Sequence, residues 1–250
     1  MRAQLWLTIG AISVAFVLAP ASAARQEAPA ALKKSAAQCF GKQHVGWQEL
    51  IDACTKVIGG QVSKKHKAGA YYNRGSAYLR LGGGKTALDD FNSAIKTDPT
   101  FARAYVARAG ILIGQGKADL AMADLNKAVS LDGKSSAAYS NRGMAYLAKG
   151  DNKKAIADLT KSIELEPSDA AGYSARASAY MADKNEAQAL ADLNKAIQLD
   201  PKLTIALMNR GAIYASKGEK EKAKSDFQAV LAIAPDNKQA KDYLAALSKG

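Results

Sequence analysis

Between Ala68 and Asn237 the chain returns to the same residue types every 34 positions, five times over. The units are 68–101, 102–135, 136–169, 170–203 and 204–237. At the fourth place stand Tyr71, Tyr105, Tyr139, Tyr173 and Leu207; at the eighth, Gly75, Ala109, Gly143, Ala177 and Gly211. The eleventh is Tyr78, Leu112, Tyr146, Tyr180 and Tyr214. The twentieth is alanine without exception (Ala87, Ala121, Ala155, Ala189, Ala223), and a large apolar residue follows at the twenty-fourth: Phe91, Leu125, Leu159, Leu193, Phe227. Each unit closes on proline (Pro99, Pro167, Pro201, Pro235), with Gly133 as the departure; either residue ends a helix, by a lost donor or by backbone freedom. A period of this length describes one helix–turn–helix unit that cannot bury its apolar face alone.

Period and skeleton resemble the tetratricopeptide-repeat (TPR) family, over 170 of the 250 residues. The resemblance implies an all-α, right-handed α-solenoid of stacked helical hairpins, with small side chains at the eighth and twentieth places because paired helices approach most closely there. The segment 238–250 follows as an amphipathic capping helix carrying Tyr243, Leu244 and Leu247.

Two further columns carry charge. The seventh place is Arg74, Arg108, Arg142, Arg176 and Arg210; the twenty-third is Asp90, Asp124, Asp158, Asp192 and Asp226. One charge of each sign per unit, one on each helix, predicts a structural ion-pair ladder; the functional alternative is an anion-binding row. Leu81 to Thr86 (LGGGKT) superficially matches a phosphate loop, but the motif needs glycine where Leu79 stands and a preceding strand.

Ahead of the repeats, Met1-Arg2, an apolar run from Leu5 to Leu18 and an Ala-x-Ala site ending at Ala23 compose a secretory signal peptide over 1–23, cleaved after Ala23 or Ala24. The run is shorter than the roughly 20 residues a membrane span needs. An exported chain, periplasmic or secreted, is expected. Residues 24–34 show no apolar period and read as a flexible lead-in. Residues 35–67 read as a degenerate helix pair and connector: Trp47, Leu50, Ile51, Cys54, Val57 and Ile58 share a helical face, Gly59-Gly60 ends it, and Gln61 to Lys67 is a solvated basic loop. Cys39, on a preceding short helix, faces Cys54. In an oxidising compartment the expectation is a disulfide closing a terminal hairpin; reactive thiols remain the alternative, and a metal site lacks its ligands, His44 and His66 being isolated.

In the family the concave groove is lined from the first helices. By resemblance this groove carries Tyr72, Asn73, Ser76, Leu79 and Arg80, then Arg103, Val106 and Ile113. Ser140, Asn141, Met144 and Leu147 follow, then Ser174, Ser178 and Met181, and lastly Met208 and Asn209. Asn73, Asn141 and Asn209 offer donor and acceptor to a peptide backbone, and methionines adapt to varied apolar side chains; against this, Asn-Arg-Gly is a common spelling of this helix turn in the family. The clamp that holds acidic chaperone tails uses lysine at the fifth place, where this chain has Tyr72, Val106, Ser140, Ser174 and Met208.

The expected function is a non-enzymatic scaffold or assembly factor of the bacterial envelope that binds a protein or peptide partner, with no cofactor or metal. An enzyme, or enzyme subunit, acting on cell-wall material is the second reading, for which no nucleophile–base pair or carboxylate pair is visible. The third is charge-driven binding to an acidic membrane surface or polymer: net charge is +12, and residues 24–67 hold eight basic against three acidic side chains. Nucleic acid is not the expected partner, since the basic residues are scattered rather than massed.

Overall fold

The computed structural model describes residues 21–41 and 45–249. The expected signal segment therefore lies outside the described residues except for Ala21 to Ala23, and so does His44. Thirteen α-helices make up the described part, with no strand among the described residues. Helices α1 (Ala21–Phe40) and α2 (Trp47–Gly59) form a first hairpin. Five more follow: α3 (Lys64–Arg80) with α4 (Gly84–Thr97), α5 (Ala102–Gly114) with α6 (Ala118–Leu131), and α7 (Ser136–Ala148) with α8 (Asn152–Leu165). The last two are α9 (Ala170–Ala182) with α10 (Glu186–Leu199) and α11 (Thr204–Ser216) with α12 (Lys220–Ile233), before the closing α13 (Lys238–Lys249). Each first helix packs on its own second helix and on the first helix of the next hairpin. That pattern is a solenoid of stacked hairpins rather than a bundle.

Steric fit inside each hairpin follows the columns. The five alanines at the twentieth place are fully buried, and so are the large residues four positions on. Gly75 faces Phe91 so closely that a Cβ there would lie 2.9 Å from the ring. Gly211 faces Phe227 at 2.8 Å and Gly143 faces Leu159 at 2.7 Å in the same sense. Between hairpins a second set of small residues does the same work: Ala70, Ala104, Ala138 and Ala206 on first helices, Ala94, Ala128 and Ala196 on second helices, all fully buried. Ser162 takes the place of alanine in the third unit, and its hydroxyl donates to the Ser136 carbonyl at 3.0 Å, so burial leaves nothing unsatisfied.

The turn inside each hairpin has its own requirement. Gly82, Gly116, Gly150 and Gly218 adopt φ between 71° and 81°, and the fourth unit places Lys184 there at φ 61°. Side-chain caps open several helices: Ser63 accepts from the His66 N–H, Ser135 from Ala138, Asp151 from Lys154 and Asn185 from Gln188.

Two expectations at the front of the chain are corrected. Residues 24–34, expected as a flexible lead-in, lie within α1, a helix of 20 residues rather than a short one. Alanine supplies the propensity, and Leu32 supplies an anchor by packing against the cluster of Cys39, Cys54 and Val57. Ser35, Ala36 and Cys39 follow Leu32 on the same face, but serine and alanine there are too small or polar to stand out as an apolar period. The basic connector likewise ends early, because Ser63 caps α3 and draws Lys64 to Lys67 into its first turn.

At the far end Ala240 of α13 is buried, and Tyr243 stacks on Phe227 with ring centroids 4.7 Å apart. Leu244 and Leu247 cover the same cluster. The last hairpin is thereby closed to water.

Candidate functional site

The charged columns are built into the scaffold. Arg74 donates from Nε and Nη2 to the two carboxylate oxygens of Asp90 at 2.8 and 2.7 Å. Arg108–Asp124, Arg142–Asp158, Arg176–Asp192 and Arg210–Asp226 repeat this two-pronged pairing. The remaining Nη1 reaches back to the preceding hairpin, donating to Thr55, Asn92, Asn126, Thr160 and Asn194 in turn. In the first four units the guanidinium also lies over the tyrosine three residues earlier, and in the fifth, where Leu207 stands, over Tyr214. Hydrogen bonding to the aspartate raises each guanidinium pKa above its ordinary value, with burial acting against it. A fork satisfied on every prong is a brace between hairpins, not a receptor for an external anion.

The disulfide joins Cys39 to Cys54, with Cα atoms 4.9 Å apart and both side chains buried. Its closeness to the inner face matters more than its stapling role. The Asn73 amide donates to the Cys39 carbonyl at 2.7 Å, which ties the first helix of the first repeat to the disulfide hairpin. Asn141 donates to the Val106 carbonyl at 3.4 Å, and Asn209 to the Ser178 hydroxyl at 3.3 Å. All three asparagines thus spend an N–H on the preceding hairpin, so part of the donor capacity expected for a ligand backbone goes to the scaffold instead. The physical reason is the stacking offset, which brings the sixth place of one first helix against its predecessor.

Two depressions open on the first-helix face, and they share a border. The first, about 460 Å³, lies between the disulfide hairpin and α3 and is lined by Phe40, Trp47, Leu50, Tyr72, Asn73, Ser76 and Arg103 among others. The second, about 550 Å³, is lined by Tyr72, Leu79, Arg103, Val106, Ala107, Gly110, Ile111 and Asn141, together with Asp132 and Lys134 to Ala137. Small residues explain the second: Ala107 and Gly110 on α5 leave a dip between α3 and α7, and a Cβ on Gly110 would meet only the Asn141 amide, at 3.9 Å. Tyr72 and Arg103 stand on the ridge between the two, the guanidinium 5.7 Å from the ring centroid.

Of the expected groove residues, the structure brings together Tyr72, Asn73, Ser76, Leu79, Arg103, Val106 and Asn141. Arg80, Ser140, Met144 and Ser178 border neither depression; Met144 is exposed beyond them. Ser174 and Met208 are buried, the latter inside the cluster of Leu207 and Phe227, and offer no groove surface. Sequence reasoning missed Phe40, Trp47 and Leu50, which belong to the hairpin ahead of the recognisable repeats. Trp47, placed by helical spacing on the apolar face of α2, is instead 47% exposed, and its spacing alone did not mark it as a groove residue. Among the described residues no cluster of His, Cys, Asp and Glu is arranged to hold a metal ion.

Residues 49–247 match the family model of the ETO1 C-terminal domain. Among curated proteins the sequence has no significant match. Solved structures similar in fold include a thermophilic TPR protein of Thermus thermophilus, 20% identical with a TM-score of 0.64, covering 73% of this chain and 100% of that one. A tetratricopeptide repeat protein from Parabacteroides merdae is 23% identical, TM-score 0.64, over 91% of this chain and 89% of that one. YrrB, described as a TPR protein with an unusual peptide-binding site, is 22% identical, TM-score 0.56, over 77% of this chain and 98% of that one.

Proposed function

The chain belongs to the tetratricopeptide-repeat family, and from that premise we propose that it is an exported, non-enzymatic scaffold that binds an extended protein segment along the amino-terminal half of its inner face. The paired depressions that meet at Tyr72 and Arg103 carry this reading. Apolar and polar side chains together line both, which is the combination that gives a segment both affinity and register. YrrB, similar in fold, is described as having a peptide-binding site, and the proposal assigns that kind of ligand to this chain. Export is supported by the signal-like first residues and by a buried disulfide, which persists in oxidising compartments. A role in the bacterial envelope, as assembly factor or scaffold, follows from that location.

In-cell crosslinking tests the reading. A photoreactive residue replaces Leu79 in the groove, and a second chain carries it at the exposed Lys127 on α6. A discrete adduct from the groove position alone is expected. The same adduct from both positions, or none from Leu79, contradicts the groove assignment.

A further inference from the structure

The amino-terminal hairpin carries a basic edge that the inner face does not use. Leu32 of α1 packs on Gly60, where a Cβ would lie 2.8 Å from the leucine methyl, and Phe40 lies edge-on to His66 with ring centroids 5.8 Å apart. These two contacts set residues 32–40 beside residues 60–69, and neither stretch contains Asp or Glu. Together they hold Lys33, Lys34, Lys64, Lys65 and Lys67, all but Lys67 exposed. Among the described residues none of the five makes an ion pair. The acidic residues of α2 are engaged elsewhere, Glu49 accepting from Gln38 and Asp52 from Gln48. Asp98, which feels the charge of Lys65, accepts the hydroxyl and N–H of Thr100 at 2.6 and 2.9 Å. Lys64, Lys65 and Lys67 also occupy the opening turn of α3, which has no acidic residue. That is the positive end of the helix dipole, where cations are unfavourable and an external anion offsets them.

We propose that this edge docks the protein on a bilayer whose headgroups carry net negative charge. Lysine is a flexible, strongly hydrated point charge, suited to a diffuse array of phosphates. Pairing with single carboxylates favours the planar fork of arginine, which this chain commits to its scaffold. None of the five lysines lines either depression of the inner face, so they present a broad charged surface rather than a pocket shaped to one side chain. Attraction to an anionic leaflet adds up over such a group and fades within the screening length of salt. The same placement makes the inference independent of the groove, and each stands or falls by its own test.

Co-sedimentation of the full chain with large vesicles, titrated in lipid, tests this by comparing phosphatidylglycerol mixed into phosphatidylcholine with phosphatidylcholine alone. The neutral vesicles account for any contact made by the apolar run Leu5 to Leu18. Binding to the anionic vesicles should exceed binding to the neutral ones and fall steeply as salt is raised. The fourfold variant Lys33→Gln, Lys34→Gln, Lys64→Gln, Lys65→Gln should lose about fivefold for each lysine in contact, and about a hundredfold or more for the set. A matched variant, Lys127→Gln, Lys153→Gln, Lys220→Gln, Lys238→Gln, removes the same charge from exposed sites on α6, α8, α12 and α13 and should bind nearly as the parent does. Equal binding to both kinds of vesicle, or equal losses from the two variants, would overturn the inference. So would capture by a soluble polyanion such as polyphosphate in preference to anionic vesicles at matched charge, which would assign the edge to a polymer instead.

Discussion

In three of the five repeat hairpins a glycine decides how near two helices come. Gly75 and Gly211 face phenylalanine and Gly143 faces Leu159, while Ala109 and Ala177 stand in units whose large residue is Leu125 or Leu193, so the partner's size alone does not set the choice. Gly75→Ala should therefore destabilise by about 1–3 kcal/mol, since its Cβ meets Phe91 at 2.9 Å, Asp90 at 3.0 Å and the Ala87 backbone at 3.1 Å. Thermal melting measures it, and an unchanged midpoint would refute the close-approach argument. Lys184 offers the opposite experiment. It sits at φ 61° where four units use glycine, a conformation costing a side-chain-bearing residue about 1 kcal/mol or more. Lys184→Gly should raise the melting midpoint; a lowered one would mean that the lysine makes a contact worth more than its strain. The columns at the eighth, twentieth and twenty-fourth places were open to reading because size alone defines them. The turn glycines Gly82, Gly116, Gly150 and Gly218 recur at the same interval and were equally visible, although only φ distinguishes Lys184. The bonds of Asn73, Asn141 and Asn209 were not legible, because a side-chain direction depends on the offset between hairpins, which no single column records.

At the level of helices, the arginine–aspartate braces and the disulfide hold different joints. Each arginine connects both helices of its own hairpin and the second helix of the one before, so it fixes the angle between units as well as within them. Arg142→Met would leave Asp158, which is buried, without its cation, at a cost of about 3 kcal/mol. Chemical denaturation provides the test; a loss below the error of the fit would mean the brace is dispensable. The disulfide braces the hairpin that, among the described residues, has a neighbour on one side only. Closing a loop of 15 residues contributes about 3 kcal/mol by chain entropy, so the Cys39→Ser, Cys54→Ser double variant should melt earlier by a corresponding amount. Because Cys39 and Phe40 line the first depression, the same variant should also bind groove peptides more weakly. Full retention of both stability and binding would detach this hairpin from the site. The pairing of the two cysteines could be anticipated from helical spacing. The length of α1 could not, since it depends on Leu32 finding the Cys54 cluster across the hairpin.

Over the whole molecule, the regular columns produce one continuous solenoid, while the irregular ones decide where along it a ligand fits. First helices toward the carboxyl end bring Ser174 and Met208 into the interior, and a depression of about 370 Å³ beside α11 is lined mainly by charged and polar side chains, Arg210, Glu221, Lys222, Ser225 and Asp226 with Tyr214. The amino-terminal half differs because Ala107 and Gly110 are small and because Trp47 and Phe40 rise beside Tyr72 as a wall. A sequence read by its repeat identifies the inner face as a whole; the confinement to one half emerges only once the non-repeating hairpin is docked. That confinement is tested most directly by hydroxyl-radical footprinting of the chain with and without a peptide selected from a random library for binding to it. The account predicts protection of Trp47, Tyr72 and Leu79 upon binding, with the exposed Leu120 and Ile233 on second helices unchanged. Protection confined to Leu120 and Ile233, with Tyr72 and Leu79 oxidised as in the free chain, would contradict it.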